Sequence, residues 1–172
     1  MRTGKFFGQK LCALALMASM ASIAACGQAT ESMEFAPAAI SGKPVDNHWY
    51  PNDKLTPGHL CTVKDADFDE HRYAEQIPHC ARNVSRATRI KVSAPYGVSE
   101  AQLADYQVDH LIPLALGGSN AEENLWPVPY DQARAKARFE NSTYIELRDG
   151  NITQRQAIAK IRQWVRDNLR QE

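Results

Sequence analysis

The chain has 172 residues, with 20 lysines and arginines balanced by 20 aspartates and glutamates. That length suggests one folded domain once any removable segment is subtracted. The balanced charge excludes a protein that announces nucleic-acid binding by a strongly basic composition.

The first element is a removable one. MRTGKFFGQK carries Arg2, Lys5 and Lys10 and no acid, and the apolar LCALALMASMASIAA follows. A basic end joined to a run of small apolar residues is the pattern of a secretory signal, too short and weakly flanked for a membrane span. It ends in Ile23-Ala24-Ala25-Cys26-Gly27, which resembles a bacterial lipobox. That resemblance implies a signal peptide over 1–25 and a lipid on Cys26, the first mature residue. An ordinary signal cleaved near the same alanines would instead leave a soluble periplasmic or secreted protein. Loss of 1–25 removes three bases and no acid, leaving 17 bases and 20 acids, a mature net of −3.

With Cys12 in the signal and Cys26 at its end, only Cys61 and Cys80 remain in the body of the chain. Two cysteines in an oxidising compartment are expected to form a disulfide. A shared metal is the alternative, but no CxxC or nearby Cys/His knuckle supports it.

Residues 26–50 are rich in Gly, Ala, Ser and Pro without hydrophobic periodicity, which predicts a flexible tether. Trp49-Tyr50 marks the expected start of order, and the folded domain is assigned to 51–172. The stretch from Leu55 to Val84 reads as loop-rich. Its acids Asp65, Asp67, Asp69 and Glu70 lack the glycine and closing glutamate of a calcium loop and read as a solvated turn. Alternation around Ile90 and Val92 predicts a short strand, and Arg82, Arg86, Arg89 and Lys91 cluster nearby. Ser99 with Gln102 predicts a capped helical turn.

YQVDHLIPL then predicts a strand, ALGGSNAEE a loop turned by Gly117-Gly118, and NLWPV a second strand. From Tyr130 the pattern is helical as far as Gly150, a C-cap. Thr153 and Gln156 form a capping box for a last helix, with Ile158, Ile161, Val165 and Leu169 at three- and four-residue steps. The fold class is α+β: a hairpin followed by a helix, with additional helices and a loop-rich, disulfide-linked N-terminal part.

Asp109-His110-Leu111-Ile112-Pro113-Leu114, Gly117-Gly118 and Asn124-Leu125-Trp126-Pro127 together resemble the motif of the HNH endonuclease family. The likeness is to a subgroup of small exported bacterial proteins and spans roughly residues 55–170. The resemblance implies a ββα-metal hairpin-helix module that hydrolyses phosphodiester bonds. Such hydrolysis needs an activated water and a cation to offset charge in the transition state. A histidine can take a proton from water near neutral pH, so His110 is the expected general base. Asp109, on the opposite strand face, offers a hard oxygen suited to Mg²⁺ or Mn²⁺. Asn124 matches the asparagine that braces the loop positioning the base.

One family feature is missing. A second His or Asn, nine positions beyond the first Asn, usually ligates the metal, and Ala133 stands there. Asp131, Gln132, Glu140 or a water would have to supply the oxygen instead. Lys136, Arg134 and Arg138 on the same helix are the expected nucleic-acid contacts. From Gln132 onward nine bases outnumber five acids, consistent either with a basic face or with a solvated, ion-paired helix face. His48, His59, His71 and His79 lack ligand spacing and read as structural, and Trp126 and Trp164 as core anchors.

The expected protein is therefore a monomeric, exported, metal-dependent endonuclease. Its substrate is DNA rather than RNA, cut with low sequence specificity. It is held in the periplasm by its lipid, at the outer membrane in preference to the inner, or is soluble there. A non-catalytic envelope lipoprotein using a degenerate hairpin as a binding scaffold is the main alternative. A purely structural envelope protein is the third.

Overall fold

The structure is a computed structural model that describes residues 50–169. The proposed signal, Cys26 and all of the tether except Tyr50 lie outside the described residues. Within them the chain is mixed α and β, with two separate two-stranded antiparallel sheets and three α-helices.

The stretch expected to be loop-rich contains a hairpin. Strand β1 (Phe68–Arg72) pairs with β2 (Ile77–Cys80), with a register irregularity between Phe68 and Glu70. Its turn holds Tyr73 and Gln76 at positive φ, 63° and 55°, an uncommon conformation for residues with a Cβ. No Gly or Asn-Gly signal marks this turn, and FDEHR is mostly exposed, so neither turn chemistry nor alternation betrayed it. The expected disulfide is present. Cys61 and Cys80 are joined with Cα atoms 5.7 Å apart.

The strand expected around Ile90 and Val92 is a helix, α1 (Arg86–Ser93). Ser85 caps it by accepting a hydrogen bond from the Thr88 amide at 3.1 Å. An alternation of two apolar residues is too short to define a period, and an N-cap serine with helical neighbours outweighs it. The turn after it forms as expected, a 3-10 segment (Glu100–Asp105) with the complete Ser99–Gln102 capping box.

Strand β3 (Tyr106–His110) pairs with β4 (Leu125–Pro129), setting Asp109 opposite Trp126 and His110 opposite Leu125. Strand β3 stops at His110, short of the apolar run that follows it. Helix α2 (Tyr130–Arg148) leaves directly from β4, and Gly150 closes the turn beyond it at φ +73°. Helix α3 (Gln154–Leu169) opens on the expected box, with the Thr153 amide donating to Gln156 Oε1 at 2.8 Å.

Helices α2 and α3 pack together. Phe139 stacks on Trp164 with ring centroids 5.6 Å apart, and Ala157, Ile161, Val165 and Leu169 are buried. This apolar stripe meets Leu111, Ile112, Leu116, Trp126 and Val128 in the main core. Burying such side chains is what holds helix, hairpin and loop together, at about 1.5–3 kcal/mol for each large aliphatic or aromatic group.

Candidate active site

The site is built where β3 ends. One backbone bond extends past His110, from the Leu111 amide to the Asn124 carbonyl at 2.8 Å, and Pro113 then starts a tight turn (Leu114–Leu116). The loop is then bound by one side chain. Asn124 Oδ1 accepts from the Ile112 amide at 2.9 Å, while its Nδ2 donates to the Ile112 carbonyl at 2.9 Å and the Ser119 carbonyl at 2.8 Å. Asn124 is wholly buried, and a buried amide that makes three hydrogen bonds is a strong local clamp. Its clamp requires Gly118. A Cβ there would lie 1.8 Å from the Ile112 carbonyl oxygen. Gly117 meets a different need, turning the chain at φ +84°.

His110 is buried, 2% exposed. Its Nε2 lies 3.1 Å from Asn120 Oδ1. The orientation of that amide is set from its other side. Asn120 Nδ2 donates to Asp67 Oδ2 at 3.0 Å and to the Ala81 carbonyl at 2.7 Å, and its Oδ1 accepts from the Asn83 amide at 3.2 Å. An oxygen therefore faces the imidazole, so Nε2 carries the proton and Nδ1 is the basic nitrogen. Burial pushes the His110 pKa down to about 4. Asn120 and Asp109 oppose that shift, and the cations of Arg82 and Lys136 add to it. The ring is neutral at pH 7.

Asp109, also buried, holds a cation that belongs to the protein. Lys136 reaches from α2 and is fully buried. Its Nζ donates to Asp109 Oδ2 at 3.1 Å, to the His110 carbonyl at 2.7 Å, and to Glu140 Oε1, one turn further along the helix. All three ammonium protons have an oxygen. Burial alone would lower the Lys136 pKa, but the Asp109 and Glu140 carboxylates outweigh it and raise it. Burial raises Glu140, against the pull of Lys136.

The sequence-predicted residues divide into two groups. Asp109, His110, Asn124 and Lys136 come together. Lys136, expected to meet phosphate, instead lies buried between the hairpin and its own helix, because neutralising two carboxylates requires it inside. Arg134 and Arg138 remain on the exposed side of α2, with Arg134 Nε reaching only the Tyr130 carbonyl at 3.3 Å. The expected basic cluster near α1 is partly spent on ion pairs, Arg86 with Glu100 and Lys91 with Glu122, both at 2.6 Å. Arg82 instead donates to the Val108 carbonyl at 3.2 Å and bears electrostatically on both His110 and Glu140. Sequence reasoning missed Asn120 and Asp67 as partners of the base. The Ser-Asn after the glycines was the only signal, and nothing local links it to residue 67.

Among the described residues, the other acids and histidines form no comparable site. Asp69, Glu70 and His79 bring ligand atoms within 4.8 Å of one another, but Arg72 already pairs with both carboxylates. His59 meets Ser119 Oγ at 3.0 Å, and the His71 ring packs edge-on against Phe68. His48 lies outside the described residues.

A divalent ion, implied by the resemblance, does not fit these residues. Ala133 sits in the apolar core at 3% exposure and has no donor. Asp109 already binds an ammonium. Two unit charges about 4 Å apart repel by about 4 kcal/mol at an effective permittivity of about 20, and a dication doubles that. Compared with models of protein families, with curated proteins and with solved structures, the chain matches none significantly.

Proposed function

We propose that the protein is an exported hydrolase of nucleic-acid phosphodiester bonds with the HNH hairpin-helix layout, acting on DNA in the cell envelope. The observation that supports this most is the state of His110. It sits at the end of β3 as a neutral imidazole, Nε2 pinned by Asn120, leaving Nδ1 as the proton acceptor a hydrolytic base must offer. A base of this acidity is weaker than one poised near pH 7. In this reading Asn124 keeps the loop in place, Lys136 and Arg82 supply positive field, and Arg134 and Arg138 meet backbone phosphates.

The Cys61–Cys80 disulfide is in keeping with the oxidising compartment that the signal and Cys26 imply. In the proposal Cys26 carries the membrane anchor and the folded domain acts as a monomer.

A second reading is a non-catalytic binding scaffold. It is favoured by the saturation of Asp109 by Lys136 and by the alanine at position 133. Plasmid nicking by the purified full-length protein separates the two. The hydrolase reading expects nicking that falls by about 10²–10⁴-fold in His110→Ala with little change in DNA affinity. Equal cleavage by both proteins removes His110 as the base, and no cleavage by wild type in the presence or absence of Mg²⁺ and Mn²⁺ gives the scaffold first place.

A further inference from the structure

We propose that the Lys136 ammonium is the resident cation of this site. It fills an oxygen cage formed by Asp109, Glu140 and the His110 carbonyl, and no divalent ion binds there in the wild-type protein. The inference rests on the same hairpin-helix site as the function proposed above, but not on that site being catalytic.

The geometry carries it. Three acceptors converge on one point between β3 and α2: a carboxylate from the strand, a carboxylate from the helix and a main-chain carbonyl. These are the hard oxygens that magnesium, manganese and calcium select. The point they share is taken by a nitrogen, at 3.1 Å from Asp109 and 2.7 Å from the His110 carbonyl. Lys136 and Glu140 are four residues apart on α2, so a single helical turn supplies both the cation and one wall of its cage. Lys136 has no exposed surface, so it cannot leave the cage for solvent without opening the hairpin-helix contact. A compact ammonium with three protons matches three acceptors, whereas the planar guanidinium of arginine would not.

The spacing also predicts what the cage would take if emptied. Oxygens arranged for an ammonium stand farther from its centre than the about 2.0–2.1 Å that magnesium demands, and nearer to the about 2.3–2.6 Å of calcium. Removing the lysine should therefore create a site that prefers calcium to magnesium.

The test is manganese binding, read by the loss of the free-ion electron paramagnetic resonance signal, on full-length protein. Wild type is expected to leave the manganese spectrum unchanged at millimolar ion. Lys136→Met is expected to bind about one equivalent, with calcium displacing it at lower concentration than magnesium, and Lys136→Met/Asp109→Asn to lose that binding. A wild-type protein that binds one manganese ion, and loses it on Asp109→Asn, overturns the proposal. So does a folded Lys136→Met that binds no ion. Should Lys136→Met fail to fold, the wild-type and Asp109→Asn titrations decide alone. Nicking in excess chelator is measured in parallel. A wild type that binds no ion and nicks neither in chelator nor with added Mg²⁺ or Mn²⁺ leaves the cage intact and removes the hydrolase reading. One that binds an ion and nicks does the reverse.

Discussion

Asn120 decides which nitrogen of His110 is basic. Its amide is held by Asp67, the Ala81 carbonyl and the Asn83 amide, so it presents an oxygen to Nε2, 3.1 Å away. Nitrogen-15 chemical shifts should report His110 as the Nε2–H tautomer at neutral pH. In Asn120→Ala the preference should relax, and any nicking should fall through its rate rather than through DNA affinity. An Nδ1–H signal in wild type would reverse the assignment of the acceptor nitrogen.

The same ring makes folding pH-dependent. Its pKa falls from an ordinary 6.5 to about 4 in the folded protein, through burial first. Between those values the unfolded chain binds a proton that the folded one refuses, so stability rises with pH in that window and is lost as pH falls through it. The contribution is about 3 kcal/mol between about pH 6.5 and pH 4. Urea unfolding at pH 4.5 and 7 should show a larger difference in wild type than in His110→Gln. Equal differences would mean that the folded ring accepts a proton readily.

Lys136 and the exposed arginines should separate cleanly. Lys136→Met leaves two carboxylates facing each other without their cation, and breaking a buried pair costs about 3–5 kcal/mol. It should not alter the salt dependence of DNA binding beyond what lost folding explains. Arg134→Ala and Arg138→Ala should leave the melting temperature within a degree or two. Each should lower the salt slope by about one phosphate contact. A salt slope unchanged in both arginine variants would move the nucleic-acid surface off α2.

Two glycines offer a control on the loop. Gly118→Ala drives a methyl into the Ile112 carbonyl at 1.8 Å and should unfold the loop or the domain. Gly150→Ala meets nothing within 4 Å but must keep φ at +73°, which costs about 1–2 kcal/mol. Calorimetry should rank them in that order. A Gly118→Ala protein as stable as Gly150→Ala would show that the Asn124 clamp yields.

The disulfide spans a sequence separation of 19, and closing a loop of that order stabilises by about 3 kcal/mol in the chain-entropy model. Cys61→Ala/Cys80→Ala should melt lower by several degrees, and reductant should have the same effect on wild type but none on the variant.

Most of the long-period structure was legible in the chain. Strands β3 and β4, the helix leaving Tyr130 and the box at Thr153 all carry either a repeated apolar step or a cap whose chemistry is local. Helix α1 was not, because Ile90 and Val92 alternate by chance over too few positions. Nor was the β1–β2 hairpin, whose turn uses Tyr73 and Gln76 at positive φ in place of glycine. The site divides along the same line. Asp109, His110 and Asn124 are near neighbours in a recognisable motif. The partners that determine their chemistry come from afar: Asp67 is 53 residues from Asn120, and Lys136 is 27 from Asp109. Lys136 was read as a surface contact because nothing in its neighbourhood says that two buried carboxylates await it.

Helix α3 fastens on the front of the chain. Arg162 donates to the Pro57 carbonyl, 105 positions earlier, and the Gln154 amide is held by Glu75, 79 positions earlier. Gln154 also bonds the Leu116 carbonyl beside the glycine turn. Contacts between segments far apart in the chain therefore help to close the domain. Long-range closure of this kind slows folding and lengthens the interval in which apolar segments stay exposed.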